Sequence, residues 1–212
     1  MKNPRRIIWE RWTAMTLGLA LLVCCASVPG GKKNNEKDPR YQYNMGLVYL
    51  NSRGADTAAL NQAIYFFLKA LSLDPKYYLA YNALGLADSM KGEMSSAAGA
   101  FEKSLSINPS FAEARNNLGS IYEAQGFLVK AEEEYKRAIM DETYASRQLP
   151  LYNLARMAFR QDKYRQALDY AERSIRFDSR MAMGHNLKGM TLEKLEDMEA
   201  ALVSYEKAAR LV

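Results

Sequence analysis

The stretch YLAYNALGLADSMKGEMSSAAGAFEKSLSINPSF, residues 78–111, decides the fold. Counting Tyr78 as position 1, Leu84-Gly85, Ala97, Phe101 and Pro109 fall at positions 7, 8, 20, 24 and 32. One period earlier Met45-Gly46 occupies the first pair, and Ala63, Phe67 and Pro75 follow after five extra residues around Gly54-Ala55-Asp56-Thr57. One period later come Leu118-Gly119, Ala131 and Tyr135, and the spacing of Pro75 and Pro109 is itself 34. Five copies cover about 39–77, 78–111, 112–145, 148–181 and 182–212, with Ser146-Arg147 as a two-residue insertion. The fourth copy has Leu154-Ala155 in place of Leu-Gly and Ala167 at position 20, and the fifth keeps Gly189, Ala201, Tyr205 and Ala208.

Each recurring residue type has a physical task. Glycine inside a helix costs up to about 1 kcal/mol relative to alanine, so its return at one position implies close helix packing. Ala63, Ala97, Ala131, Ala167 and Ala201 do the same on the second helix, and Phe67, Phe101, Tyr135 and Tyr205 fill the seam. Pro75 and Pro109 follow Asp or Asn and stop the second helix. The prediction is an all-α chain of antiparallel helix pairs. The Gly and Asp breaks come too often for a long coiled coil.

The pattern resembles the tetratricopeptide repeat. That resemblance implies a right-handed superhelical solenoid of about five repeats over residues 40–212. It also implies a concave groove lined by the first helix of each pair, at positions 2, 5, 9 and 12. On this chain the groove residues become Tyr43, Leu47, Leu79, Asn82, Leu86, Asn116, Tyr152 and Arg156. Asn82, Asn116 and Asn186, at position 5 of the second, third and fifth repeats, form a ladder. An asparagine amide offers a donor and an acceptor, so the ladder can hold the backbone of an extended peptide; bonding of these amides within their own helices is the alternative. Tyr43, Leu47, Leu79 and Leu86 make the N-terminal half of the groove apolar. Lys and Arg are scarce along it, which argues against clamping of a C-terminal carboxylate.

Net charge is +5, and residues 1–24 hold Lys2, Arg5, Arg6 and Arg11 against Glu10 alone. The repeats are therefore close to neutral, which speaks against nucleic acid as a partner. The basic start is followed by an apolar run, Thr13 to Val23, whose helical length of roughly 16 Å is half a bilayer core. That is signal-peptide length rather than a span. Leu22-Val23-Cys24-Cys25 is similar to a bacterial lipobox. The resemblance implies cleavage after residue 24 and lipidation of Cys25, with Cys24 as the alternative. Several acyl chains would anchor the protein stably, and Ala26 after the cysteine favours the outer membrane, periplasmic face. No cysteine follows Cys25, so the mature chain holds no internal disulfide. Residues 25–39 read as a polar tether.

Chemistry-bearing constellations are not evident. One histidine, His185, at a helix-packing position and no thiol in the repeats make a metal site improbable, and no phosphate loop or nucleophile elbow is present. No enzyme activity and no cofactor are expected. Glu132-Glu133-Glu134 reads as a solvated acidic face.

The lipobox, the tether leading into residues 41–50, and the interruption Thr143-Tyr144-Ala145-Ser146-Arg147-Gln148-Leu149-Pro150 are similar to the pilotin family of type IV pilus biogenesis lipoproteins. That resemblance implies a non-catalytic scaffold whose groove binds a segment of the pilus secretin and assists its localisation and assembly. A general periplasmic adaptor recruiting cell-wall enzymes is the alternative function.

Overall fold

The computed structural model describes residues 35–52 and 56–212. The leader 1–24, Cys25 and most of the tether lie outside the described residues, as do residues 53–55 of the insertion in the first repeat. After a 3-10 turn at Asn35–Lys37, all the described elements are α-helices. They pair as α1 (Pro39–Leu50) with α2 (Thr57–Leu73), α3 (Tyr78–Met90) with α4 (Met94–Ile107), and α5 (Ala112–Ala124) with α6 (Leu128–Met140). Then follow α7 (Gln148–Arg160) with α8 (Tyr164–Phe177), and α9 (Ala182–Lys194) with α10 (Met198–Arg210). Each second helix packs on the next first helix. The first helices also touch one another in succession, α1 with α3, α3 with α5, α5 with α7 and α7 with α9, whereas the second helices make no comparable contact. Residues 37–212 are therefore a stack that bends with its first helices on the inner side.

The seam inside each pair is a ring pressed on a helix backbone. A Cβ added at Gly85 would lie 2.8 Å from the Phe101 ring, and one at Gly119 or Gly189 would lie 2.7 Å from the ring of Tyr135 or Tyr205. Gly46 meets Phe67 in the same way. The fourth repeat solves the seam differently: Ala155 stands for the glycine and Ala171 for the ring, both fully buried, and Phe159 and Tyr170 pack against them. Alanine can occupy the glycine position only where the opposing ring is gone. A second tie recurs in alternate repeats. Ser104 donates to the Tyr78 carbonyl and Ser174 to the Gln148 carbonyl, both at 2.8 Å, fastening the second helix to the start of the first.

Helix ends follow from local chemistry. Asp74, Asn108, Asp141 and Asp178 cap the second helices. Their side chains accept from the backbone N–H of Lys76, Ser110, Thr143 and Arg180, at 2.9, 3.3, 2.9 and 3.0 Å. The turn is the same at Asp141 and Asp178, where no proline follows, so the Asx turn rather than Pro75 or Pro109 is the common stop signal. The first helices end on a left-handed residue: Gly92 at φ 84°, Gly126 at 82°, Asp162 at 57° and Glu196 at 65°. In the first repeat the insertion is shared between the loop and the second helix. Thr57 starts α2 six residues before Ala63, whereas Met94 starts α4 three residues before Ala97. Asp56 caps α2 by accepting from Ala59 N at 2.9 Å.

Two outcomes follow. Gly85→Ala destabilises the protein by about 1–3 kcal/mol through overpacking on Phe101, although alanine is the better helix former. Ala155→Gly, with no ring to accommodate, costs only about 1 kcal/mol. Urea denaturation of both variants measures this, and a stabilised Gly85→Ala contradicts it. The second outcome concerns Asp88, buried in α3. Burial, reinforced by Glu93 and opposed by Lys91, holds its carboxyl above the ordinary 3.8. A carboxyl raised in the folded state stabilises the fold at pH below its unfolded value and loses that contribution as pH rises through the folded value. Asp88→Asn is therefore more stable than the parent at pH 7, and the advantage shrinks as pH falls toward about 4. Thermal melts across that range check it.

Candidate partner-binding groove

The inner face is built by the five successive first helices. From α1, Tyr43 and Leu47 are half-buried against the first core cluster of Leu50, Leu60, Phe67, Ala83 and Ala87. The Tyr43 ring lies 5.2 Å from that of Tyr77 and 6.0 Å from that of Phe67. Burial, helped by Tyr77 and Glu113, raises its phenol above the usual range. From α3 come Leu79 and Leu86, both half-buried, with Leu86 bridging the first cluster and the next. Tyr43, Leu47 and Leu86 pack on one cluster, and Leu79 lies two turns before Leu86 on the same helix.

The asparagines are placed differently from an open ladder. Asn82 is buried; it donates to Glu113 Oε1 at 3.1 Å and accepts from Asn117 Nδ2 at 3.1 Å. Asn116 is buried and accepts from Asn153 Nδ2 at 3.2 Å. Each amide bonds to the first helix of the following repeat, neither within its own helix nor out into the groove. Of the three, Asn186 is exposed, with its Nδ2 3.6 Å from Met190 Sδ.

The cation of the groove is also engaged. Arg156 donates to Glu123 Oε2 at 2.9 Å and Arg160 to Glu123 Oε1 at 3.1 Å, while the Glu123 side chain is only 6% exposed. Tyr135 Oη reaches the same carboxylate at 3.1 Å and Ser120 Oγ at 3.2 Å. Burial drives the Tyr135 phenol well above its usual range. Two guanidiniums share one carboxylate, so this part of the groove is net positive. Tyr144, from the interruption, is pushed up to about 12 by burial, with Glu113 adding to the shift. Tyr152 lines a cleft of about 410 Å³ with Met183, Asn186, Tyr205 and Val212.

Glu113 and Glu123 fall at positions 2 and 12 of the expected groove, whereas Arg160 and the second asparagines, Asn117 and Asn153, are what sequence reasoning missed. The signal of the asparagines was present as Asn at position 5 of one repeat and position 6 of the next. The acidic run is also not uniform. Glu132 and Glu133 pair with Lys136 and Arg137 at the surface, but Glu134 is largely buried against Arg115 at 2.8 Å. His185 is buried with Nε2 3.0 Å from the Ser179 carbonyl oxygen. Among the described residues no cluster of three or more His, Cys, Asp or Glu could hold a metal ion.

A helical-repeat interaction scaffold is the class this geometry defines. The tetratricopeptide repeat model matches residues 82–147 and 152–211, and the chain belongs to that family. Among solved structures it is similar to pilF of Pseudomonas aeruginosa, with 24% identity over 85% of this chain and 79% of that one, at a TM-score of 0.77. It is also similar to PilW, a widely conserved type IV pilus biogenesis factor, with 20% identity over 82% and 79% at TM-score 0.71. YrrB, a TPR protein with an unusual peptide-binding site, matches at 21% identity over 84% and 88%, TM-score 0.60. At these identities the likeness is one of fold. No curated protein matches the chain in sequence.

The Glu123 junction generates a direct test. Glu123→Ala leaves two guanidiniums without their anion and costs about 1–3 kcal/mol. Glu133→Ala removes an exposed pair and costs less than about 1 kcal/mol. Chemical denaturation of the two variants side by side measures the contrast, and equal losses contradict it.

Proposed function

We propose that this protein is a lipid-anchored scaffold of type IV pilus assembly. Acyl chains on Cys25 hold it at the periplasmic face of the outer membrane, and its inner groove binds an extended segment of the pilus secretin. The observation that carries the reading is the fold likeness to PilF and PilW across more than four fifths of the chain. The lipobox-like Leu22-Val23-Cys24-Cys25 supports the anchor.

The mechanism is non-catalytic. Tyr43, Leu47, Leu79 and Leu86 offer apolar surface to alternate side chains of an extended segment. Asn82 and Asn116 serve the groove indirectly: they fix the spacing of its first helices. Arg156 and Tyr152 give the other half a positive and aromatic character. Membrane anchoring then raises the local concentration of bound secretin, which favours its assembly by tethering.

Affinity capture with the full-length lipidated protein from solubilised envelopes, read by mass spectrometry, tests this. The parent recovers a secretin, and Leu79→Glu with Tyr152→Glu lowers recovery by about tenfold while helical content is retained. Recovery of cell-wall hydrolases or synthases without a secretin overturns the reading in favour of the adaptor function.

A further inference from the structure

Each second helix turns one face outward, away from the groove. Aligned on the buried Ala63, Ala97, Ala131, Ala167 and Ala201, that face is carried in α2 by Asn61, Tyr65, Leu68 and Ser72. Their spacing of four, three and four residues puts them on one side of the helix. The face belongs to the repeat and not to an end of the stack. In the second and third repeats, which have neighbours on both sides, all four of its positions are exposed as well. What differs is the chemistry of the two central positions. The second repeat has Gly99 and Glu102 there, the third Glu133 and Lys136, the fourth Asp169 and Glu172, the fifth Val203 and Glu206. Every copy but the first has a charge at its centre.

In the first repeat the centre is apolar. Tyr65 is 55% and Leu68 51% exposed. The Tyr65 ring meets Phe66 edge-on at 5.3 Å, and Phe66 stacks on Tyr49 of α1 at 5.4 Å. Three rings thus lie in a row across the helix pair. Lys69 is the one charged residue among the 17 of α2, and no acid interrupts it. A lysine keeps its stem on apolar surface and its ammonium in water. Rings with a polar edge, an aliphatic side chain and a lysine, without a carboxylate, are what a helix lying in the headgroup layer of a membrane presents.

The tether brings this repeat, before any other, to lipid. Residues 26–38 separate Cys25 from α1. A flexible chain of that length spans roughly 20 Å on average, and roughly 50 Å at full stretch. With Cys25 acylated, α2 is within reach of the bilayer. Tethering raises the local concentration of the face at the membrane, so a contact too weak to recruit a free protein suffices here.

We propose that the outer face of α2, centred on Tyr65 and Leu68, rests in the headgroup layer of the bilayer that holds the acyl chains of Cys25. The inference rests on the anchored reading of Cys25 and is independent of which protein the groove binds. Contact along α2 holds the first repeat against the lipid and turns the inner side, where Tyr43 and Leu79 lie, away from it.

The test uses the full-length lipidated protein reconstituted into vesicles of phosphatidylethanolamine with a minor share of phosphatidylglycerol, carrying radiolabelled lipid. A photoreactive residue is placed at Leu68 and, in separate proteins, at Asn61 and Glu102. Flotation reports anchoring independently of the crosslink. The expected result is a lipid adduct from positions 68 and 61, and about tenfold less from position 102. Tyr65→Glu with Leu68→Glu lowers the adduct from position 61 by about tenfold, with flotation and circular dichroism unchanged. Protein that floats but yields no more lipid adduct at 68 than at 102 overturns the proposal and leaves the anchor standing. An adduct from position 68 to a second copy, or to another segment of this chain in place of lipid, overturns it too. Protein that fails to float overturns the anchor, and the proposal with it.

Discussion

In four of the five repeats an aromatic ring lies where a Cβ would otherwise sit, pressed on Gly46, Gly85, Gly119 or Gly189. This contact sets how near the two helices of a pair approach, and the other spacings depend on it. With the pair fixed, each second helix packs on the first helix of the next repeat, as Ala70 does on Ala80 and Ala98 on Leu118 and Ile121. The bending of the stack, and hence a groove on the inner side, follows from that nearness. The fourth repeat keeps the same architecture with Ala155 and Ala171 because Phe159 and Tyr170 pack into the space the ring leaves, not because any one residue type is obligatory.

Polar groups refine what the rings establish. Amide pairs such as Asn82 with Asn117 and Asn116 with Asn153 link neighbouring first helices. Because they join successive first helices, they fix the distance between successive side chains a bound segment would meet. Glu123 with Arg156 and Arg160 does the same by charge. Such buried, directional contacts contribute register more than net stability. A rigidly spaced groove lowers the ordering cost of binding.

Much of the fold was legible in the sequence because steric demands leave strong traces. Gly at position 8, Ala at 20 and an aromatic at 24 are readable without coordinates, and so are the two insertions. The groove positions came from the repeat resemblance, which names them by place on the first helix and not by what each side chain touches. What was not legible depends on the stagger between helices. The partners of Asn82 and Asn116 are 35 and 37 residues away, and nothing local distinguishes a buried cross-repeat amide from an exposed one. Glu134 shows the same limit: it shares a run with two surface glutamates, yet helix rotation turns it onto Arg115. Pro75 and Pro109 were conspicuous as stop signals, but the quieter Asp and Asn before them form the turn that every such junction uses.

The groove and the repeat junctions together describe a scaffold whose work is positioning. The proposed role requires that the inner face, and not the outer one, receives the secretin. Site-specific photocrosslinking in living cells tests this most directly. A photoreactive residue at Leu79, on the inner face, is compared with one at Gly99, which is exposed on a second helix with open space around it. The account predicts a secretin adduct from position 79 and none from position 99. An adduct from position 99 alone, or adducts only with other proteins, contradicts it.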